Sequence, residues 1–346
     1  MVNQIGINGF GRIGRAIYRV LLENNYNGEV VINDINPDNN NIAYQLKYDS
    51  LYGILNNKVY ADEEMIFVDE KKIPIYHYKT IDEVPWNRHK IKIVIDASGV
   101  HENLIRSRNL KGKVRNVIIT HSPEHEYIDR YVIMGVNENE INFDTDFIIS
   151  SSICDANAFG PVVNVLEKEW GIKHGFITTL HPWLSYQNLL DGQSQSILYP
   201  GKTFSHYILG RASTYSIMPK PTTTVDATCK VLPWLDDKFF SFSFRVPTAT
   251  VSCSDISVEL KKKVSVQQVT DLFEEQQNDQ INNIFNSNYE PLVSIDFKGS
   301  SYSATIDQRW TSVNDNNYLK LILWYDNEWG YSNRVYDLIK LLSVKI

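Results

Sequence analysis

Cys154 stands between an apolar run that closes at Ser150 and a stretch in which Phe159, Val162, Val163 and Leu166 recur with helical spacing. The thiol is therefore expected at or near a helix N-terminus. There the helix dipole and free N–H groups stabilise a thiolate and can later bind an oxyanion. That is good nucleophile chemistry, although by position alone a lone cysteine is more often an inert buried residue. The chain has three cysteines and no CxxC pair, so neither a disulfide framework nor a structural zinc site is expected.

A second constellation lies near the start. Gly9-Phe10-Gly11-Arg12-Ile13-Gly14 is GxGxxG, set between the apolar run Gln4 to Asn8 and a helical pattern over Ile13 to Glu23. In this context the first glycine makes the turn, the second lets backbone approach a pyrophosphate, and the third allows close helix packing. Asp34 follows the next apolar run, Val30 to Asn33, about 20 residues past the third glycine, where a carboxylate accepts from adenosine ribose hydroxyls. Its charge disfavours a 2′-phosphate, so NAD is the expected cofactor, held around Phe10, Gly11, Arg12, Ile13 and Asp34. Ser98-Gly99, after the run Lys92 to Asp96, is expected to lie near it by the same topology.

These residues need a scaffold. Strand, glycine turn, helix and strand make one βαβ unit, and the runs Lys92 to Asp96, Asn116 to Thr120 and Asp146 to Ser150 each close on small or polar residues. A Rossmann-type parallel-sheet domain over 1–153 is expected, completed by a C-terminal helix at 332–346 whose Val335, Leu338, Ile339 and Leu342 share one side. From about Gly175 the pattern changes to longer alternating runs: Gly175 to His181, Phe239 to Val246, Val251 to Leu260 and Tyr318 to Tyr325. These predict an α+β catalytic domain over 154–331 with an antiparallel sheet, giving an α/β protein overall. Gln187 to Lys230, rich in Gly, Pro, Ser and Thr, reads as a long functional or interface loop.

With 346 residues, 43% hydrophobic and 22% charged, the chain is long enough for two packed domains. A net charge of -7 gives no general attraction for nucleic acid or anionic membrane, so any anionic substrate needs local groups. No secretory signal and no apolar run of about 18 residues is read. A reducing cytoplasm is the expected location, and it would keep a catalytic thiol usable.

Cys154 through Pro161 (CDANAFGP) resembles the nucleophile segment of glyceraldehyde-3-phosphate dehydrogenases. The resemblance continues through Asn8 to Arg15 (NGFGRIGR), Lys47 to Ser50, Met134 to Asn137, Thr178 to His181, Asp191-Gly192, Phe244 to Pro247, Trp324 to Glu328 and Gly330 to Ser332, in family order. It implies that Cys154 is the nucleophile and His181 its proton-handling partner. It implies that Asn327 holds the nicotinamide carboxamide, and that Gln187 to Lys230 packs between subunits of a homotetramer. The implied reaction adds Cys154 to a small phosphorylated aldehyde, passes hydride to NAD, and resolves the thioester with inorganic phosphate.

The phosphate half of that reaction is where this chain departs. Arg245 and Thr222 are retained, but Ile153 replaces a usual Ser, Asp155 a usual Thr, Leu184 a usual Thr, and Thr223 a usual Gly; Lys220 and Asp226 change the charge of the loop. Asp155 at roughly 5 Å from an incoming phosphate would repel it by about 3 kcal/mol per unit charge at an effective dielectric near 20, and would oppose thiolate formation. If it points away, it is only a favourable negative residue in a helix's first turn. The alternatives are a dehydrogenase with a different aldehyde or acyl acceptor, and a catalytically idle NAD-binding protein.

Overall fold

The computed structural model describes residues 4–196, 198–203 and 207–344. Contacts gather the chain into two compact units. One holds the residues up to Tyr131, Glu140–Ser151 and the chain from Val335; the other holds Val132–Asn139 and Ser152–Arg334. The expected break at 153 omitted the Val132–Asn139 excursion, which no change of composition marks.

In the first unit seven strands run parallel in the order Arg130–Tyr131, Ile148–Ser150, Asn116–Ile119, Ile93–Asp96, Ile5–Asn8, Val30–Asn33 and Lys71–Tyr76. Two antiparallel strands, Met65–Val68 and Val59–Ala61, extend the edge. The central strands are buried along their whole length, as a sheet covered on both faces requires. Val335, Leu338, Ile339 and Leu342 are fully buried, the helical face expected of the C-terminal segment.

In the second unit the sheet runs Met218–Lys220, Phe239–Arg245, Ile172–His181, Ser252–Leu260, Tyr318–Tyr325, Ala304–Asp307 and Phe285–Asn288, with Ser312–Asn314 paired on Tyr318–Tyr325. It is mixed, which corrects the wholly antiparallel expectation: Ile172–His181 pairs parallel with Phe239–Arg245, and Phe285–Asn288 with Ala304–Asp307. A parallel partner needs a long crossover, and the stretch between His181 and Phe239 supplies one. That stretch is less of a loop than its composition suggested, since it contains the strand Met218–Lys220 and the helix Thr224–Cys229.

The helix Cys154–Trp170 packs on this sheet with Phe159, Val162, Val163 and Leu166 fully buried, and Phe159 meets the ring of Phe239 edge-on at 5.1 Å. The same strands present alternate residues outward: Phe176 stacks on Phe240, and both are exposed, as is Phe242. Among the described residues no helix is long and apolar enough to cross a membrane.

Candidate functional site

The glycine turn of the first unit is shaped by contacts that forbid side chains. Gly9 has φ +88°, and a Cβ there would lie 2.6 Å from the Ser98 backbone; a Cβ on Gly14 would lie 2.2 Å from the Gly9 carbonyl. Gly11 caps the helix Arg12–Glu23 with no side-chain hydrogen bond, and a Cβ there would meet nothing within 4 Å. Open space over an uncapped helix start suits a pyrophosphate. Asp34 is pinned beside it, its Oδ2 accepting from the Phe10 N–H at 2.6 Å and Oδ1 from the Asn36 N–H at 2.9 Å. A carboxylate so held keeps lone pairs for ribose hydroxyls.

The other expected contacts in this unit divide into backbone and structural roles. Phe10 is buried edge-on against Tyr18, and the Arg12 guanidinium pairs with Asp49 at 2.8 Å, so both side chains are engaged within the protein. Ile13 sits half-buried in the helix's first turn. Ser98 Oγ donates to Asp96 Oδ1 at 2.7 Å, and Gly99 takes φ +67°. A polar network unread in the sequence joins three adjacent strand ends: Asn33 Nδ2 donates to Asn8 Oδ1 at 2.8 Å, and Asn8 Nδ2 to Asp96 Oδ1 at 2.9 Å. Full burial pushes the Asp96 carboxyl up.

The second unit gathers its chemistry at one end of four neighbouring strands. Register places His181 opposite Arg245 and Ser252 opposite Tyr325, each at the limit of its strand. Lys220 lies opposite Ser243, so by strand alternation it shares a face with Arg245. The helix Cys154–Trp170 begins against this row. Its start is set by Ser152 at φ +58° and Ile153 in extended conformation, and the loop into Ser252 passes through Val251 at φ +67°. A β-branched residue in the left-handed region is a strained backbone, and this one directly precedes a residue of the site.

Asp155 is the hub. Its Oδ1 is 2.6 Å from His181 Nε2, accepts from Tyr325 Oη at 2.9 Å, and takes the Cys154 thiol at 3.5 Å; its Oδ2 accepts from Thr224 Oγ1 at 3.1 Å. The other imidazole nitrogen, Nδ1, is 2.9 Å from Ser252 Oγ. Asp155 therefore points into the site, and the helix-dipole role alone does not describe it. Among the described residues no hydrogen bond joins Cys154 to His181, although their Sγ and ring nitrogen lie within 4.8 Å.

The electrostatics follow from this geometry. Although burial opposes it, contact with His181, Tyr325 and Thr224 holds the Asp155 carboxyl well below its ordinary range. Burial, then the charge of Asp155, pushes the Cys154 thiol well up, with Arg245 acting the other way. Burial, then Asp155, also raises Tyr325. Lys220 is brought down to about 8 by burial and then by Arg245. Arg245 Nη1 donates to the Pro182 carbonyl at 3.0 Å, while its buried Nε finds no partner.

Of the remaining expected residues, Thr222 is linked to the site at one remove, its Oγ1 2.8 Å from Thr224 Oγ1. Thr223 is exposed, and it is Thr224 that reaches Asp155. Asn327 carries a buried Oδ1 with no partner, a fit for an amide N–H from a ligand. Ser252, Thr224 and Tyr325 were missed. Tyr325 belonged to a recognised segment, whereas nothing local in the sequence marks Ser252, which strand register alone carries to His181.

Comparison with known proteins is consistent along the whole chain. Residues 3–104 match the sequence model of the glyceraldehyde 3-phosphate dehydrogenase NAD binding domain, and 153–327 that of the glyceraldehyde 3-phosphate dehydrogenase C-terminal domain. Glyceraldehyde-3-phosphate dehydrogenase 1 of Bacillus cereus is 36% identical over 345 residues, covering 99% of each chain. The enzyme of Priestia megaterium is 36% identical over 346 residues, covering 100% of this chain and 99% of its own. The cytosolic enzyme of Sinapis alba is 33% identical over 343 residues, covering 98% of each. With both domain models matched in order and relatives of its own length aligned end to end, this chain belongs to the glyceraldehyde-3-phosphate dehydrogenase family and is an NAD-dependent dehydrogenase.

Proposed function

We propose that the chain oxidises a small phosphorylated aldehyde through a thioester on Cys154, with His181 as the proton-handling partner. The observation that carries this reading is the convergence of Cys154, His181, Arg245 and Lys220 at one end of the second sheet. Two cations share that face, Lys220 lowered by burial and then by Arg245, and an arriving phosphate monoester relieves their repulsion. Sγ adds to the carbonyl carbon, and the thiol proton ends on the new hydroxyl oxygen. Asp155 stands between sulfur and imidazole, and its ionised Oδ1 accepts from the thiol, so this carboxylate is the first base the thiol proton meets. Ser252 fixes the ring of His181 through Nδ1. The glycine turn and Asp34 would hold the pyrophosphate and ribose of NAD, and the Asn327 Oδ1 would accept from its carboxamide. When bound, NAD would supply the acceptor for the hydride of the hemithioacetal, whose hydroxyl proton passes to His181.

Asp155 favours a second reading of the final step. A carboxylate beside Sγ repels inorganic phosphate, and the acyl acceptor is then a neutral nucleophile, water foremost. The working assembly in this proposal is a homotetramer in a reducing cytoplasm, with neither nucleic acid nor membrane as partner.

The test is NADH formation over small aldehydes, with and without phosphate or arsenate, in the wild type and Lys220→Met. Phosphorylated aldehydes are expected to turn over, and loss of one charge-assisted contact raises their KM by roughly 10- to 100-fold. Unphosphorylated aldehydes are expected to be insensitive to the substitution. Ordinary turnover of glyceraldehyde 3-phosphate that depends on phosphate removes the second acceptor reading. Failure of every aldehyde with NAD binding intact overturns the enzyme assignment of Cys154 and leaves an idle NAD-binding protein.

A further inference from the structure

We infer that Cys154, Asp155 and His181 form a binding site for a zinc-like divalent transition metal, which masks the nucleophile reversibly. Their ligating atoms all lie within 4.8 Å of one another. Thiolate, carboxylate and imidazole are ligand types that zinc-like ions favour, and three protein ligands leave a fourth tetrahedral position for water. The sulfur and Asp155 Oδ1 are already 3.5 Å apart, which is about the span two ligands make across a tetrahedral ion with bonds near 2.0 and 2.3 Å. The His181 to Asp155 separation of 2.6 Å has to open to about 3.3 Å for bonds near 2.0 Å. That movement is a fraction of an ångström in side chains.

The surrounding groups are arranged as outer partners of such a site. Asp155 Oδ2 is held by Thr224, and Tyr325 donates to Oδ1. His181 Nδ1 faces the Ser252 hydroxyl, which can accept the ring proton as readily as donate its own, leaving Nε2 free to coordinate. When the sulfur–metal bond forms, the thiol proton leaves to solvent, and nothing is oxidised or reduced. With thiolate and carboxylate supplied, the dication's charge is balanced. Arg245 and Lys220 stand nearby and weaken the site, which makes the ion a removable mask rather than a resident cofactor. The sequence reads Asp155 as an obstacle to phosphate and to the thiolate, or as a favourable residue of the helix's first turn. The structure makes it the third ligand, and a threonine in its place leaves two.

The experiment uses chelator-stripped full-length protein titrated with Co(II). One equivalent is expected to bind with a thiolate-to-cobalt charge-transfer band in the near ultraviolet. The same ion, or Zn(II), is expected to block iodoacetamide labelling of Cys154, with chelator restoring it. Asp155→Thr is expected to lose about 100-fold in affinity, comparable to the upper range for disturbing a metal site, and Cys154→Ser to lose the band. Retained NAD binding shows that each variant is folded. Absence of the band, or equal affinity in wild type and Asp155→Thr, overturns the site. Because no aldehyde is involved, failure here is separate from failure of the proposed oxidation.

Discussion

At the scale of the residue, the unusual feature is that the carboxylate adjacent to the nucleophile in sequence is also its neighbour in space. Asp155 occupies the imidazole edge that the family pattern directs at the sulfur. A unit charge roughly 4 Å away opposes thiolate formation by about 4 kcal/mol at an effective dielectric near 20, before Arg245 and Lys220 offset part of it. The thiol stays protonated at neutral pH, so in chelator-treated protein the iodoacetamide labelling rate of Cys154 is expected to climb continuously with pH through 9. Asp155→Thr removes the charge and frees Nε2. Labelling at neutral pH is expected to accelerate by about tenfold or more. A pH-independent wild-type rate, or an unchanged variant, would show that the carboxylate does not control the sulfur. Cys154 and the glycine turn were legible because adjacent residues define them. Ser252 reaches the site through pairing of distant strands and Thr224 from the short helix Thr224–Cys229 in the crossover, and single-chain patterns encode neither placement.

At the scale of the element, both candidate sites lie where strands end and a helix starts, and both tolerate little change there. Gly9 combines φ +88° with a Cβ position 2.6 Å from the Ser98 backbone. The obstruction is main chain, which no rotamer change relieves. Gly9→Ala is expected to cost roughly 1–3 kcal/mol from backbone strain and to abolish measurable NAD binding. Denaturant melts with an NAD titration check this, and wild-type NAD affinity in the variant would refute the close-approach argument. Periodicity marked the central strands of both sheets, where continuous apolar runs and alternating runs differ on sight, but not Met65–Val68, Lys71–Tyr76, Phe285–Asn288 or Ala304–Asp307. It could not say which neighbours run parallel. That depends on connection length, and the connection after His181 was read as loop because Met218–Lys220 and Thr224–Cys229 are short and polar. The strained Val251 was equally invisible, since its conformation is imposed by the strand it precedes.

At the scale of the whole molecule, each unit satisfies its own core, yet the second leaves an aromatic face uncovered. Register puts Phe176 opposite Phe240 and Thr178 opposite Phe242, on the side of the sheet away from the helix Cys154–Trp170. Phe176 is 60% exposed, Phe240 71% and Phe242 41%. Stacked aromatics in water at that exposure form the kind of contiguous apolar surface that monomers rarely keep. Tyr215 and Ile217 add exposed apolar area just before the strand Met218–Lys220, at the edge of the same sheet. In the assembly proposed above, a second copy of the chain covers this face, because a two-fold contact pairs a surface with itself. Buried aromatic anchors in such contacts are each worth about 2 kcal/mol or more, so replacing two of them acts far more on assembly than on the fold. Phe176→Ser with Phe240→Ser is therefore expected to sediment at a lower mass than the wild type at micromolar concentration, while still binding NAD. A tetramer that survives both substitutions would place the contact on another surface, and a wild type that sediments as a monomer would remove the assembly altogether.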